Sequence, residues 1–152
     1  MPIFIFLHVL TMFIAVAMAY GPAMMIVVAG DNVSTLRGVM AANNRLARLV
    51  APVFGVGVAL GFVAVFVHNF DPLRPWLLIA YVLVVASLVM TFVFTNPWLR
   101  SVTAAVESSP EDAPSVELQA LLNSPRNRAL LGLDALIIVA LIADMVLKPF
   151  GP

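Results

Sequence analysis

The chain has no cysteine and few charged residues, and these absences exclude several kinds of chemistry. Without cysteine it forms no disulfide, ligates no iron–sulfur cluster and has no thiol nucleophile. Only 11% of its 152 residues are charged, its formal net charge is zero, and no basic cluster predicts a nucleic-acid surface. It also lacks a G-x-S-x-G elbow, an H-E-x-x-H pair and a phosphate-binding loop. The sequence therefore does not favour an enzyme.

Long apolar runs dominate the remaining sequence. The chain is 62% hydrophobic with a mean hydropathy of +1.06, more apolar than a water-soluble domain of this size. A hydrocarbon core about 30 Å thick needs roughly 20 apolar residues per helix. We therefore predict an all-α, polytopic membrane protein, a four-transmembrane-helix bundle forming one membrane domain over residues 1–152. The predicted helices cover about residues 3–28, 47–67, 75–95 and 128–147.

The connections between these helices predict the orientation. A short turn separates helices two and three, and a longer loop over about residues 99–127 separates helices three and four. Within this loop Ser115 is predicted to cap a short surface helix. The first and third connections hold most of the basic residues: Arg37, Arg45, Arg48, Arg100, Arg126 and Arg128, against Arg74 and Lys148 on the other side. By the positive-inside rule we expect a multi-pass protein of the inner (cytoplasmic) membrane, with both termini outside the cytoplasm.

His8 is the first of three ionisable residues inside the predicted helices, where each such residue needs a physical reason. It shares a helical face with Met12, Ala15, Ala19 and Pro22, and a face of small residues usually packs inward. An inward imidazole can ligate haem iron or a metal, and Met12 offers a thioether that suits copper(I). The alternative is a histidine that hydrogen-bonds a neighbouring helix.

His68 and Asp144 are predicted at the same outer level as His8. His68 is either a second haem ligand or an interfacial histidine in a turn. Asp144 either hydrogen-bonds His8, as carboxylates do behind metal-bound histidines, or pairs with Lys148 four residues later. The sequence thus offers His8, His68 and Asp144 as cofactor-binding candidates.

Further polar and small residues suggest packing interactions. Asp134 is predicted to form a structural ion pair with a basic residue such as Arg128, near the cytoplasmic end of helix four. Gly57 and Gly61, preceded by Gly55, are spaced to let another helix approach closely.

Ser87, Thr91 and Thr95 form an i, i+4, i+8 stripe on helix three. Such hydroxyls usually bond to their own helix or join two helices, and a polar conduit is the alternative.

Three short motifs carry a family resemblance: Phe6 to Leu10, Gly21, and Met145 to Pro149. Together they resemble an uncharacterised bacterial family of predicted integral membrane proteins. That family is grouped with the copper-resistance protein D membrane domain and the HemJ-type protoporphyrinogen oxidases. In the HemJ-type relatives the first-helix Leu-His implies a haem b ligand, which corresponds to His8 here.

Three classes of function remain open at this point. The first is a membrane protein that binds haem b or a metal through His8. The second is a structural or accessory subunit that packs in the lipid bilayer against other membrane subunits or as a homo-oligomer. The third is a copper or proton transporter.

Overall fold

The structure, a computed structural model, describes residues 3–111 and 113–149. Within these residues all regular structure is helical. The elements are α1 (Ile3–Ala29), α2 (Val33–Val67), α3 (Pro75–Met90), a π-helix (Thr91–Thr95), α4 (Asn96–Ser108), α5 (Val116–Asn123) and α6 (Pro125–Leu147).

Four helical stretches in the described residues are long and apolar enough to cross a membrane. They are Ile3–Ala29, Val33–Val67, Pro75–Ser108 and Pro125–Leu147. The all-α class and the number of candidate spans agree with the sequence prediction, and the chain is compatible with a small integral membrane protein.

The second span begins at Val33, whereas the sequence predicted a start near residue 47. Gly30 has φ +55°, a left-handed conformation that glycine adopts at little cost, and its N–H donates to the carbonyl of Ile26 at the end of α1. Asn32 then caps α2, because its Oδ1 accepts the backbone N–H of Thr35 at 2.9 Å. The first connection is therefore a tight turn between two helices.

Asn43 and Asn44, polar residues of the predicted first connection, lie inside α2. This helix has 35 residues, so it is about 52 Å long at 1.5 Å per residue, more than a perpendicular span needs. Its first part keeps a helical pattern of buried apolar residues, spaced by three, three and one: Val33, Leu36, Val39 and Met40. A polar segment can therefore be helical when one of its faces is buried.

The third span also runs further than predicted, to Ser108 instead of about residue 95. The dipeptide Asn96-Pro97 lies inside this span, although proline lacks an N–H and clashes with the carbonyl of the residue four positions earlier. The π-helix Thr91–Thr95 precedes this dipeptide, and the N–H of Asn96 donates to the carbonyl of Thr91. The wider π-turn lets the chain continue as a helix past Pro97.

The predicted loop over residues 99–127 is therefore mostly helical. Ser115 caps α5 as predicted, because its Oγ accepts the N–H of Leu118 at 3.2 Å. Ser124 caps α6 in the same way, and Pro125 occupies the first turn, so α6 begins three residues before the predicted residue 128.

The chain divides into two compact units. The first consists of Met1–Phe70 and Ser109–Pro114. In it α1 packs along α2, and Arg37 donates to the carbonyl of Ser109 at 2.7 Å. Arg37 also forms an exposed ion pair with Glu111 at 3.4 Å.

The second unit consists of Asp71–Ser108 and Ser115–Pro152. In it α3 and the π-helix pack against α6, and α4 packs against α5. Within the described part of α6, the only buried residues are Asp134 and Asp144.

Candidate functional site

Two glycines of α2 bring α1 into close contact. A Cβ on Gly57 would lie 2.6 Å from Met12 Sδ, and a Cβ on Gly61 would lie 2.8 Å from His8 Cε1. A real Cβ does not approach other atoms so closely, so a side chain at Gly57 or Gly61 would force the facing Met12 or His8 side chain to shift. Gly55 has no heavy atom within 4 Å of the corresponding position. The close approach thus involves Gly57 and Gly61 and not Gly55.

The face of α1 that contacts these glycines is the predicted face of His8. His8 and Met12 are half-buried on it, and Ala15 and Pro22 are buried further along. Thr11 also contacts Gly57 through its methyl group, while its hydroxyl donates to the carbonyl of Leu7 at 2.7 Å.

The imidazole of His8 has a defined hydrogen bond. Its Nδ1 lies 2.7 Å from the carbonyl oxygen of Gly57, 49 residues away in the sequence. A carbonyl oxygen only accepts, so Nδ1 carries the proton and donates. In the neutral imidazole the lone pair then lies on Nε2. The bond joins the two helices and also fixes which nitrogen is free to act as a ligand.

The ligand set near His8 restricts the kinds of metal centre that fit. Among residues 3–111 and 113–149 no group of three or more His, Cys, Asp or Glu side chains could hold a metal ion. A zinc site usually takes three or four such protein ligands. Haem iron needs only one or two axial protein ligands, and copper(I) accepts thioether sulfur. His8, with Met12 one turn away, therefore fits haem or copper(I) better than zinc.

His68 lies on the same helix as the two packing glycines. It ends α2, where its N–H donates to the carbonyl of Ala64, and Asn69 follows with φ +52°. The imidazole stacks on Phe70, with ring centroids 5.8 Å apart. His68 lies seven residues beyond Gly61, about 10 Å along the helix axis. Bis-histidine ligation of a haem by His8 and His68 stays a prediction.

Asp144 is buried, with 6% of its surface exposed. Neither carboxylate oxygen has a hydrogen-bond partner among the described residues. The Lys148 ammonium lies over the Trp76 ring, 5.4 Å from its centroid, while the Lys148 N–H donates to the main-chain carbonyl of Asp144 at 2.8 Å. The structure thus brings the two residues together through their backbones, and the predicted ion pair is not formed. The role of Asp144 as a partner of His8 stays a prediction.

Asp134 is more deeply buried, with 1% exposed. Its Oδ2 accepts a long hydrogen bond of 3.4 Å from the Thr95 hydroxyl, and its Oδ1 has no partner in the described part of the chain. Arg128, the predicted ion-pair partner, instead donates to the carbonyl of Leu122 and to Asn123 Oδ1. Arg128 therefore joins α6 to the end of α5, and its guanidinium is not bonded to Asp134.

Sequence reasoning missed the surroundings of Thr95. The π-helix ends at Thr95, and a cavity of about 20 Å³ lies beside it, lined by Phe94, Thr95, Trp98, Asn127, Leu130 and Leu131. The Trp98 indole N–H is buried without a partner among the described residues. The proline at residue 97 was the available signal, since proline inside a helical pattern disturbs the hydrogen-bond ladder.

The chain was compared with protein-family models, curated proteins and solved structures, and none of them matches.

Proposed function

We propose that the chain is a multi-pass inner-membrane protein that binds haem b, or alternatively copper(I), at Nε2 of His8. The observation that carries the proposal is the hydrogen bond from His8 Nδ1 to the carbonyl of Gly57. Histidines that ligate metals usually donate their other ring nitrogen to a carbonyl or carboxylate, which fixes the tautomer and the ring orientation. His8 has this arrangement.

Haem would supply redox chemistry or gas binding when bound, and the protein would supply the axial ligand. His8 Nε2 is the ligand in this proposal. The hydrogen bond to the Gly57 carbonyl fixes the orientation of the imidazole, and Gly61 leaves the ring room against α2. For copper(I), Met12 is the second ligand. Asp144 and His68 remain candidate supporting groups.

The proposed orientation places the His8 end of α1 at the outer surface and the first and third connections in the cytoplasm. The distribution of basic residues supports it, with six of eight in the two connections predicted from the sequence. In the structure Arg37, Arg45 and Arg48 lie on the first half of α2.

Absorption spectroscopy and metal analysis test the cofactor directly. We expect the full chain, purified in detergent after expression with a haem precursor, to show a Soret band or to contain one copper per chain. His8→Ala should lose the cofactor. His68→Ala separates two arrangements, because the cofactor is kept if His8 is the only histidine ligand and lost if His68 is a second one. A protein with no Soret band and no bound metal after supplementation with haem and copper contradicts the proposal.

A second candidate is an accessory subunit without a cofactor. Only 6% of an 18-residue apolar stretch of α1 is buried within the chain. Large side chains such as Phe13 and Met24 are 70% exposed. These surfaces are available for lipid, for a second copy of the chain or for other membrane subunits. Mass measurement of the protein in mild detergent tests this candidate, and a monomer with no companion protein contradicts it.

A further inference from the structure

A buried carboxylate with too few partners lies where α6 packs on the π-helix. Asp134 is 1% exposed, and its one hydrogen bond among the described residues comes from the Thr95 hydroxyl at 3.4 Å. This bond is long for an O–H donor, and Asp134 Oδ1 has no hydrogen-bond partner in the part of the chain that the structure describes. A buried polar atom normally has a partner, so each exception needs an explanation.

No basic side chain of the described residues neutralises this carboxylate. Arg128 is bonded to the end of α5, and Arg126 and Arg100 are exposed. Asp134 lies nine residues after Pro125, about 13 Å along the helix. An isolated carboxylate at such a depth in a candidate span is very costly, because the surroundings do not solvate its charge. Neutralising this carboxylate therefore needs a cation other than the basic side chains of the described second unit.

The groups around Asp134 fit a small cation. Carboxylate and hydroxyl oxygens are hard ligands, and Asp134 and Thr95 offer one of each. Thr95 also lines the cavity of about 20 Å³, together with Trp98 and Asn127. A cavity needs about 10–15 Å³ to hold one water molecule, so one water fits in this cavity. The Trp98 N–H can only donate, and so it suits a water molecule and not a cation.

The π-helix adds an independent local signal. Single π-turns within α-helices are uncommon and are often found at functional sites. Here the π-turn ends at Thr95, the residue that contacts both Asp134 and the cavity.

From this arrangement we propose that Asp134 and Thr95 bind a small monovalent cation, Na⁺ or a proton, with one water in the adjacent cavity. One positive charge neutralises one carboxylate, whereas a divalent ion would leave a net buried charge. The proposal does not depend on a cofactor at His8.

The first measurement is the thermal unfolding midpoint of the full chain in detergent, in NaCl and in choline chloride at equal ionic strength. A ligand that binds only the folded state raises the midpoint. If Na⁺ is the ligand, Na⁺ raises the midpoint of the wild-type protein by a few degrees. The shift disappears in Asp134→Asn and persists in Asp31→Asn, which removes the same charge at an exposed position.

The second measurement distinguishes Na⁺ from a proton. Dicyclohexylcarbodiimide modifies protonated carboxyls in apolar surroundings, and peptide mass spectrometry identifies the modified residue. Modification of Asp134 that NaCl slows indicates Na⁺. Modification that NaCl does not change, faster than at Asp31, indicates a proton. Both results support the site.

A second variant, which keeps the carboxylate, tests the site even if Asp134→Asn does not fold. Thr95→Val removes the hydroxyl at nearly constant volume, and it should weaken the Na⁺ effect or change the rate of modification, whereas Thr95→Ser should restore both. The proposal is wrong if Na⁺ changes no midpoint and Asp134 reacts no faster than Asp31. It is also wrong if the responses persist in Asp134→Asn, or if Thr95→Val behaves as the wild type.

Discussion

The imidazole of His8 lies against Gly61 so closely that a Cβ at this position would be 2.8 Å from Cε1 and 2.9 Å from Nδ1. The ring also donates to the carbonyl of Gly57, one helical turn earlier in α2. The spacing of Gly57 and Gly61 on α2 thus determines where His8, the only histidine of α1, is held. The same contact therefore packs α1 against α2 and orients the candidate ligand His8.

Adding a methyl group at Gly61 should therefore disturb this contact. Gly61→Ala forces the His8 ring to shift, and overpacking of this kind costs about 1–3 kcal/mol. We expect a lower unfolding midpoint in detergent, followed by circular dichroism. Gly55→Ala is the matched control on the same helix, since nothing lies within 4 Å of its new methyl group. Alanine favours helix over glycine by about 1 kcal/mol, so Gly55→Ala should be neutral or stabilising. Equal effects of the two variants would argue against the packing described here.

His8→Asn should separate the structural role of His8 from its proposed role as a ligand. The asparagine amide nitrogen can occupy nearly the position of Nδ1 and donate to Gly57, but asparagine has no counterpart of Nε2. We expect His8→Asn to stay within about 1 kcal/mol of the wild type, as for the loss or weakening of one hydrogen bond. His8→Ala should be less stable, because it also leaves a gap beside Gly61.

Neither His8 variant should bind haem or copper, and denaturant titration with absorbance spectra measures both properties on one sample. Cofactor bound by His8→Asn at wild-type occupancy contradicts the assignment of Nε2 as the ligand.

Two asparagines test the early start of α2. Asn32→Ala removes the cap that accepts the Thr35 N–H, and loss of such a cap costs about 1 kcal/mol. Asn44→Ala changes an exposed residue in the helix interior, where alanine is favoured over asparagine by about 0.7 kcal/mol at most. Unfolding midpoints should therefore move in opposite directions. If α2 began near residue 47, neither change would matter for helix stability.

The absence of cysteine makes the proposed topology easy to test. Single substitutions Asp31→Cys, Pro72→Cys and Glu117→Cys put one thiol at an exposed position in each connection. In intact cells a maleimide that does not cross the inner membrane should label Pro72→Cys and not the other two. All three should be labelled after the membrane is permeabilised. The reverse pattern would mean that the orientation predicted from the basic residues is inverted.

The sequence predicted the number of candidate spans because each contains a long apolar run, and such runs are read without knowledge of packing. It predicted the wrong start for α2 because Asn43 and Asn44 are polar, whereas the buried face of Leu36 and Met40 is visible only once the partner surface is known. It predicted an end near residue 95 for the third span, and the π-turn that carries the helix past Pro97 is visible only in the structure.

The candidate site was predictable to a similar extent. The helical face of His8 and the spacing of Gly57 and Gly61 could be read separately, but their direct contact depends on the register between two helices. The partners of Asp134 could not be predicted. Arg128 is near Asp134 in the sequence, but in the structure its guanidinium donates to a carbonyl at the end of α5. Thr95 was recognised only as one member of a hydroxyl stripe.

The most direct test of the account is the protonation of the two His8 nitrogens, measured by NMR of ¹⁵N-histidine-labelled protein in detergent. His68→Gln leaves His8 as the only histidine, so its signals need no further assignment. We expect a proton on Nδ1 and an unprotonated Nε2, with the Nε2 signal shifting or broadening when haem or copper(I) is added. A proton on Nε2 with a bare Nδ1, or an Nε2 signal that neither ligand changes, would contradict the account.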